Sequence, residues 1–303
     1  MPAIAVQQAI GWRWRGPRAR DPEADPASAE RSSVDDQSRR EGRAAMKPCN
    51  SHDGDPLAVL ARWYKTPLGR QVARAENACL ERLLQDCFGL YLLQFGAPGQ
   101  FHTAFDLCRI RQRIVLGETL PDAGNDDQTA LIRALPFELP LASASVDAVV
   151  LPHTLDFCVE AHQVLREVER VLIPEGRLVL FCFNPLSTWG LMRWLPRRRR
   201  RVPWCGGQMT PFRIGDWLRL LGFQLETRDM LLFRPPMGRP DMPQLDWLDS
   251  VGGRWWPMLG GVYGIRAVKR VTALTPIRPS WRQHRQLLPG RAVEPTTRDN
   301  GRA

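Results

Sequence analysis

The sequence predicts an α/β domain built on a mostly parallel sheet, and three observations carry that expectation. Short apolar runs alternate with amphipathic helical segments from residue 89 to about 270. The runs are largely apolar rather than alternating, as strands covered on both faces are. Gly and Pro fall at the joints, as in Gly96-Ala97-Pro98-Gly99 and Pro174-Glu175-Gly176.

Residues 1–45 are rich in Ala, Arg, Asp, Pro and Ser and lack both helical and strand period. They read as a disordered tail or as an over-long start before Met46. Residues 46–88 carry two helices. Leu57, Leu60, Ala61, Tyr64 and Leu68 recur at three and four, and Pro67 marks a break. Val72, Ala75, Ala78, Cys79, Leu83 and Leu84 form a second apolar face. Both helices are expected over the edge of the sheet or the mouth of a ligand cleft.

Seven strands follow within a domain spanning 89–275. The first runs from Leu90 to Phe95, the second from Arg113 to Gly117 and the third from Ala130 to Ala134. A fourth covers Val146 to Leu151. Ala161 to Leu172 has Val164, Leu165, Val168, Val171 and Leu172 on one side, which predicts a helix that Pro174-Glu175-Gly176 stops. Arg177 to Phe183 is the fifth strand. Phe212 to Leu221 is a helix closed by Gly222, Phe223 to Glu226 begins a sixth strand, and Val262 to Val271 is the last. Leu245 to Leu259 is expected to pack as an insert before it. Residues 276–303 return to Pro, Arg and Gln and read as a flexible basic tail.

Composition bounds the function classes. With 303 residues, 44% of them hydrophobic, the chain can bury a sizeable core, which excludes wholesale disorder. The net charge of +10 is unevenly placed. Residues 1–45 hold eight Arg against seven acids, residues 46–233 hold 22 basic and 20 acidic groups, and residues 234–303 hold twelve against five. Six of the central basics lie between Arg193 and Arg201, so the excess sits in one arginine run and the C-terminal end. Seven scattered cysteines without a CxxC pair argue against a disulfide framework and against a zinc site, and predict a reducing cytoplasm and no metal. No window approaches 18 uninterrupted apolar residues, so no spanning helix is expected. The N-terminus lacks the apolar stretch of a signal peptide.

In an open parallel sheet, ligands bind beyond the carboxyl ends of the strands, where strand order reverses. Gly96 and Gly99 follow the first strand and let backbone approach a ligand closely, although a plain turn needs the same residues. A dinucleotide fingerprint fails there, because its second and third glycine places hold Pro98 and Phe101.

A longer segment is more specific. Leu135-Pro136-Phe137, Asp147, His153, Leu155-Asp156 and Arg170-Val171-Leu172-Ile173-Pro174-Glu175-Gly176 occur in order over about fifty residues. This resembles the class I S-adenosylmethionine-dependent methyltransferases, in the methyltransferase type 11 subgroup. Asn184-Pro185-Leu186-Ser187 with Trp189-Gly190 is similar to an uncharacterised bacterial branch that shares this loop. The resemblance implies a Rossmann-like seven-stranded sheet with helices on both faces and its last strand antiparallel. It also implies S-adenosylmethionine as cofactor and an unknown methyl acceptor.

By that resemblance, Gln94, Gly96 and Gly99 lie beside the methionine part of the cofactor. Glu118 lies 22 residues after Gly96 and takes the ribose hydroxyls, since a carboxylate accepts from a diol, although an ordinary solvated turn acid would look the same. Ala134 and Leu135 flank the adenine, and Pro152 and His153 face the sulfonium. His153 is the candidate catalytic residue, or else it satisfies a backbone carbonyl at a strand end. Two positions depart from the family: Gln94 stands where an acid is usual, and Leu131 stands where a second acid would fall.

Arg197 to Arg201 follow Trp189-Gly190-Leu191-Met192-Arg193-Trp194-Leu195-Pro196. The run is either a solvated loop or a surface for an anionic partner, a membrane face or RNA. Two functions follow: methyl transfer to an unidentified acceptor, or a catalytically inactive methyltransferase fold that binds RNA, anionic membrane or a protein through its Arg-rich loop.

Overall fold

The computed structural model describes residues 56–96, 100–117, 129–195, 201–236 and 246–271. Helix α1 (Pro56–Tyr64) leads directly into α2 (Pro67–Leu84). Pro67 sets the break between them: Thr66 accepts a hydrogen bond from the Gly69 amide, and the proline fills the first helical turn, where its missing N–H costs nothing. The same Thr-Pro device, Thr210-Pro211, starts the helix Pro211–Leu220.

The sheet then forms from β1 (Phe88–Phe95), β2 (Arg109–Gly117), β3 (Thr129–Arg133), β4 (Val146–Pro152), β5 (Leu172–Phe183), β6 (Phe223–Leu231) and β7 (Val262–Lys269). Short helices α3 (His102–Asp106), α4 (Thr154–Phe157) and α6 (Thr188–Leu191) interleave with the longer α5 (Ala161–Val171), α7 (Pro211–Leu220) and α8 (Asp246–Trp255). Strand order is β3-β2-β1-β4-β5-β7-β6. Neighbours from β3 to β5 run parallel, and β7 is antiparallel to both β5 and β6. The expected seven-stranded, mostly parallel sheet with an antiparallel last strand is therefore present. Its order reverses between β1 and β4.

Both faces are covered. On α5, Val164, Leu165, Val168 and Val171 are buried, each contributing about 1.5–3 kcal/mol relative to exposure. On α2, Val72, Cys79, Leu80 and Leu83 are buried, and Arg266 of β7 donates to the Leu83 carbonyl.

Several boundaries differ from the sequence expectation: β2 begins at Arg109 rather than Arg113, and β5 at Leu172 rather than Arg177. The helix ends at Val171 and β5 begins at Leu172, so Pro174-Glu175-Gly176 lies inside the strand. Val146 pairs with Leu172 whereas Ala148 pairs with Arg177, a bulge that takes up the extra residues, with Glu175 at φ 63°. A Pro-x-Gly unit reads as a stop in sequence, but a bulge accommodates it. The short α3, α4 and α6 carry too few turns to show periodicity.

Much of the segment that carries the family resemblance serves this scaffold. Asp147 Oδ2 accepts from the amides of Leu90 and Tyr91, each at 2.8 Å, and so pins the start of β1 to β4. Arg170 donates to the carbonyls of Leu139 and Leu141, and Glu167 accepts from the Leu139 amide, which ties down the loop after β3.

Candidate active site

The carboxyl ends of β1, β2, β3 and β4 converge through two backbone bonds and one side-chain bond. Gly96 N donates to Leu116 O at 2.7 Å, Ala134 N to Gly117 O at 3.3 Å, and Thr154 Oγ1 to Phe95 O at 3.3 Å. Gly96 turns the chain at φ +71°, a left-handed conformation that a side chain resists. A Cβ there would lie 3.1 Å from Leu57 Cδ1 of α1. Gln94 is buried, and its Nε2 donates to the Gly96 carbonyl at 2.8 Å, so the amide braces this turn.

Ala134 and Leu135 are half-buried at the end of β3, and Leu135 bridges Glu138 in a tight return. Pro152 is buried at the end of β4. Gly99 and Glu118 lie outside the described residues, as do Arg197 to Arg200; Arg201 is described and exposed.

His153 is placed differently from its neighbours. It sits at φ 55°, is 0% exposed, and stacks on Phe183 at 3.8 Å between ring centroids. Its Nε2 lies 2.6 Å from Glu76 Oε1 and its Nδ1 lies 2.9 Å from Asp156 Oδ2. Tyr64 donates to Glu76 Oε2 at 2.7 Å, and Asp156 Oδ2 also accepts from the Phe183 amide. The ring therefore binds two carboxylates rather than a backbone carbonyl.

Burial opposes charge on His153, but Glu76 and Asp156 outweigh it and hold its pKa at about 9. It is an imidazolium at neutral pH, with both nitrogens donating. Burial, and then Glu76, push the Tyr64 phenol well up, so it stays protonated. A left-handed non-glycine residue costs about 1–3 kcal/mol, and this network holds it there. The ring thus ties the β4 end to α2 through Glu76, with Tyr64 of α1 closing the network.

Glu76 was not singled out from sequence, and Tyr64 was read only as part of the first helix's apolar face. A signal was available for Glu76, because an acid at that position interrupts the apolar face of Val72, Cys79 and Leu83.

Comparison with known proteins agrees with the geometry. Residues 89–180 match the methyltransferase domain family. The chain is 32% identical over 183 residues to the uncharacterized protein YafS of Escherichia coli K12, covering 59% of this chain and 71% of that protein. Two solved structures share the fold. One is an S-adenosylmethionine-dependent methyltransferase of Thermotoga maritima, with a TM-score of 0.52, 16% identity, and coverage of 69% of this chain and 93% of that one. The other belongs to the complex of the Haloferax volcanii Trm112 methyltransferase activator with a methyltransferase, with a TM-score of 0.51, 15% identity, and coverage of 72% and 99%.

A seven-stranded sheet in this order, with a glycine turn at its reversal, defines a class I methyltransferase fold. The chain belongs to the S-adenosylmethionine-dependent methyltransferase family, in its type 11 subgroup. Its cofactor is S-adenosylmethionine.

The residues present fit that cofactor at two places. The left-handed Gly96 turn lacks a Cβ where close approach is needed, and Ala134 and Leu135 offer a half-open apolar surface at the end of β3. Gln94 is a neutral amide where the family pattern expects a carboxylate. A charge-assisted bond is roughly twice as strong as a neutral one. Among the described residues there is no cluster of three His, Cys, Asp or Glu arranged to hold a metal, and no helix is long and apolar enough to cross a membrane.

Proposed function

We propose that this chain is an active methyltransferase that binds S-adenosylmethionine at the Gly96 turn and delivers its methyl group to an acceptor entering past the β4 and β5 ends. The observation that carries the reading is Gly96 at φ +71°, set where β1 and β4 diverge and bonded to Leu116 of β2. Gln94, Gly96, Gly99, Glu118, Ala134, Leu135 and Pro152 would hold the cofactor, and Glu118 would take its ribose. When bound, the cofactor supplies an electrophilic methyl on a sulfonium. The protein's own part is to fix nucleophile and methyl in line, where orientation is worth up to roughly 7–11 kcal/mol. In this reading His153 is a positioning residue, since its ring is closed off by Tyr64, Glu76, Asp156 and Phe183.

A second reading is a binding protein that keeps the fold without turnover. Leu57 against Gly96 and the use of the Gln94 amide inside the turn favour it, because both fill the methionine end of the cleft. Incubation with methyl-labelled S-adenosylmethionine and a fractionated bacterial extract separates the two. Label passing to one fraction with the parent, and not with Gly96→Ala, supports transfer. Cofactor binding with no labelled fraction supports the second reading.

A further inference from the structure

Helix α1 covers the glycine at the reversal of the sheet. The three atoms nearest to the Cβ position of Gly96 all belong to Leu57, at 3.1, 3.5 and 3.6 Å. The space that a glycine leaves open for close approach is therefore filled by the Leu57 side chain. Leu57, Leu60 and Tyr64 are all buried and recur at the spacing of one helix face. α1 also packs on α4, which begins just beyond the end of β4.

The two ends of α1 are held by different forces. At its carboxyl end Tyr64 donates to Glu76 of α2 and meets Phe101 edge-on at 6.3 Å, while Trp63 meets Phe183 edge-on at 6.0 Å. α2 in turn holds the chain beyond the glycine turn, since Asn77 Nδ2 donates to the Gln100 carbonyl at 3.2 Å. At the amino end the contact of Leu57 on Gly96 is apolar and has no preferred direction. The joint between α1 and α2, at Lys65, Thr66 and Pro67, is exposed. Leu57 lies about 13 Å from Thr66 along the helix and Tyr64 about 3 Å. A rotation of roughly 20° at that joint carries the Leu57 backbone about 4–5 Å and that of Tyr64 only about 1 Å.

We propose that α1 is a lid hinged at Lys65-Thr66-Pro67, and that Leu57 is its stopper, which must swing off Gly96 before the cofactor binds. This rests on the reading that S-adenosylmethionine binds at the Gly96 turn. A leucine side chain and a ligand cannot occupy one close-packed space, so the closed form excludes the cofactor. Association then waits for opening, and the measured affinity is reduced by the fraction of molecules that are open. The Tyr64–Glu76 bond sits beside the hinge, where the motion is smallest, and keeps the lid attached.

The test has two arms, both on the full chain. Without cofactor, amide hydrogen exchange of α1 is expected to be at least about tenfold faster than that of α2 and β1, because the lid opens while the sheet stays closed. Equal protection of α1 and β1 overturns the lid. In the second arm, S-adenosylhomocysteine binding is followed by stopped-flow tryptophan emission. The observed rate in the parent is expected to level off with rising ligand. Leu57→Ala should raise both the plateau rate and the affinity by about tenfold, with the milder Leu57→Val between, because trimming the stopper favours the open form. A residue that merely packs would give the reverse, a weaker site on trimming. Rates and affinities that the two variants leave unchanged or lower overturn the proposal. Absence of binding by parent and variants overturns the cofactor reading instead, and the exchange arm then decides the lid on its own.

Discussion

Glu76 of α2 and His153 at the end of β4 lie 77 positions apart in sequence, and their side chains meet at 2.6 Å with both residues fully buried. This contact joins the N-terminal helices to the end of β4, beside the proposed cofactor cleft. Tyr64 and Asp156 close the network from either side. Buried ion pairs add little net stability over an apolar core, but they fail badly when one partner is lost.

His153→Gln therefore leaves the Glu76 and Asp156 carboxylates buried without their shared cation. A loss of about 3–5 kcal/mol is expected, read by urea unfolding at pH 7. Tyr64→Phe removes one charge-assisted bond and should cost about 1.5–3 kcal/mol. A loss below 1 kcal/mol for His153→Gln would show that the network does not hold the helices in place.

The same network gives a pH dependence. In the folded state His153 titrates near 9, above its ordinary 6.5, so the folded chain keeps a proton that the unfolded chain releases. Its stabilisation is complete below about 6.5 and is lost as pH rises through about 9, with a slope of up to about 1.4 kcal/mol per pH unit between them. Unfolding curves of the parent and His153→Gln at pH 6, 7.5 and 9 check this. The stability difference between them should shrink with rising pH; a constant difference contradicts it.

Gly96→Ala places a Cβ at φ +71°, within 3.1 Å of Leu57 Cδ1. The backbone strain alone costs about 1–2 kcal/mol. Affinity for S-adenosylhomocysteine should fall by about tenfold or more, measured by equilibrium dialysis, because the turn must open to relieve the clash.

Gln94→Glu exchanges a donor to the Gly96 carbonyl for a buried carboxylate facing that same oxygen. Burial raises such an acid's folded pKa above the unfolded value. The variant's penalty is therefore absent at low pH and complete above the raised pKa. The stability gap to the parent should widen from pH 5 to pH 8. At pH 8, saturating S-adenosylmethionine should narrow the gap, because its ammonium pairs with the new charge. A gap that ignores both pH and cofactor would remove Gln94 from the ammonium end of the site.

The scaffold was legible because short, largely apolar runs such as Val146 to Leu151, bounded by turn residues and alternating with amphipathic helices, fit strands covered on both faces. The boundary at Leu172 was not, since Pro174 and Gly176 signal a stop whether they end a helix or form a bulge. Asp147 and Arg170 stood out in sequence as a family pattern, and their hydrogen bonds serve the fold. The tertiary partners of His153 were hidden for a different reason. Local pattern reports which face of α2 is buried, whereas the pairing of Glu76 with a strand end 77 positions on is fixed by how that helix packs.

Calorimetric titration of the full chain with S-adenosylhomocysteine at pH 7.5 probes the assignment most directly. A saturable one-to-one isotherm in the parent, weakened in Gly96→Ala, is the predicted result. No saturable heat in the parent, with the chain folded by its tryptophan emission, would contradict a working cofactor cleft at the ends of β1 and β4.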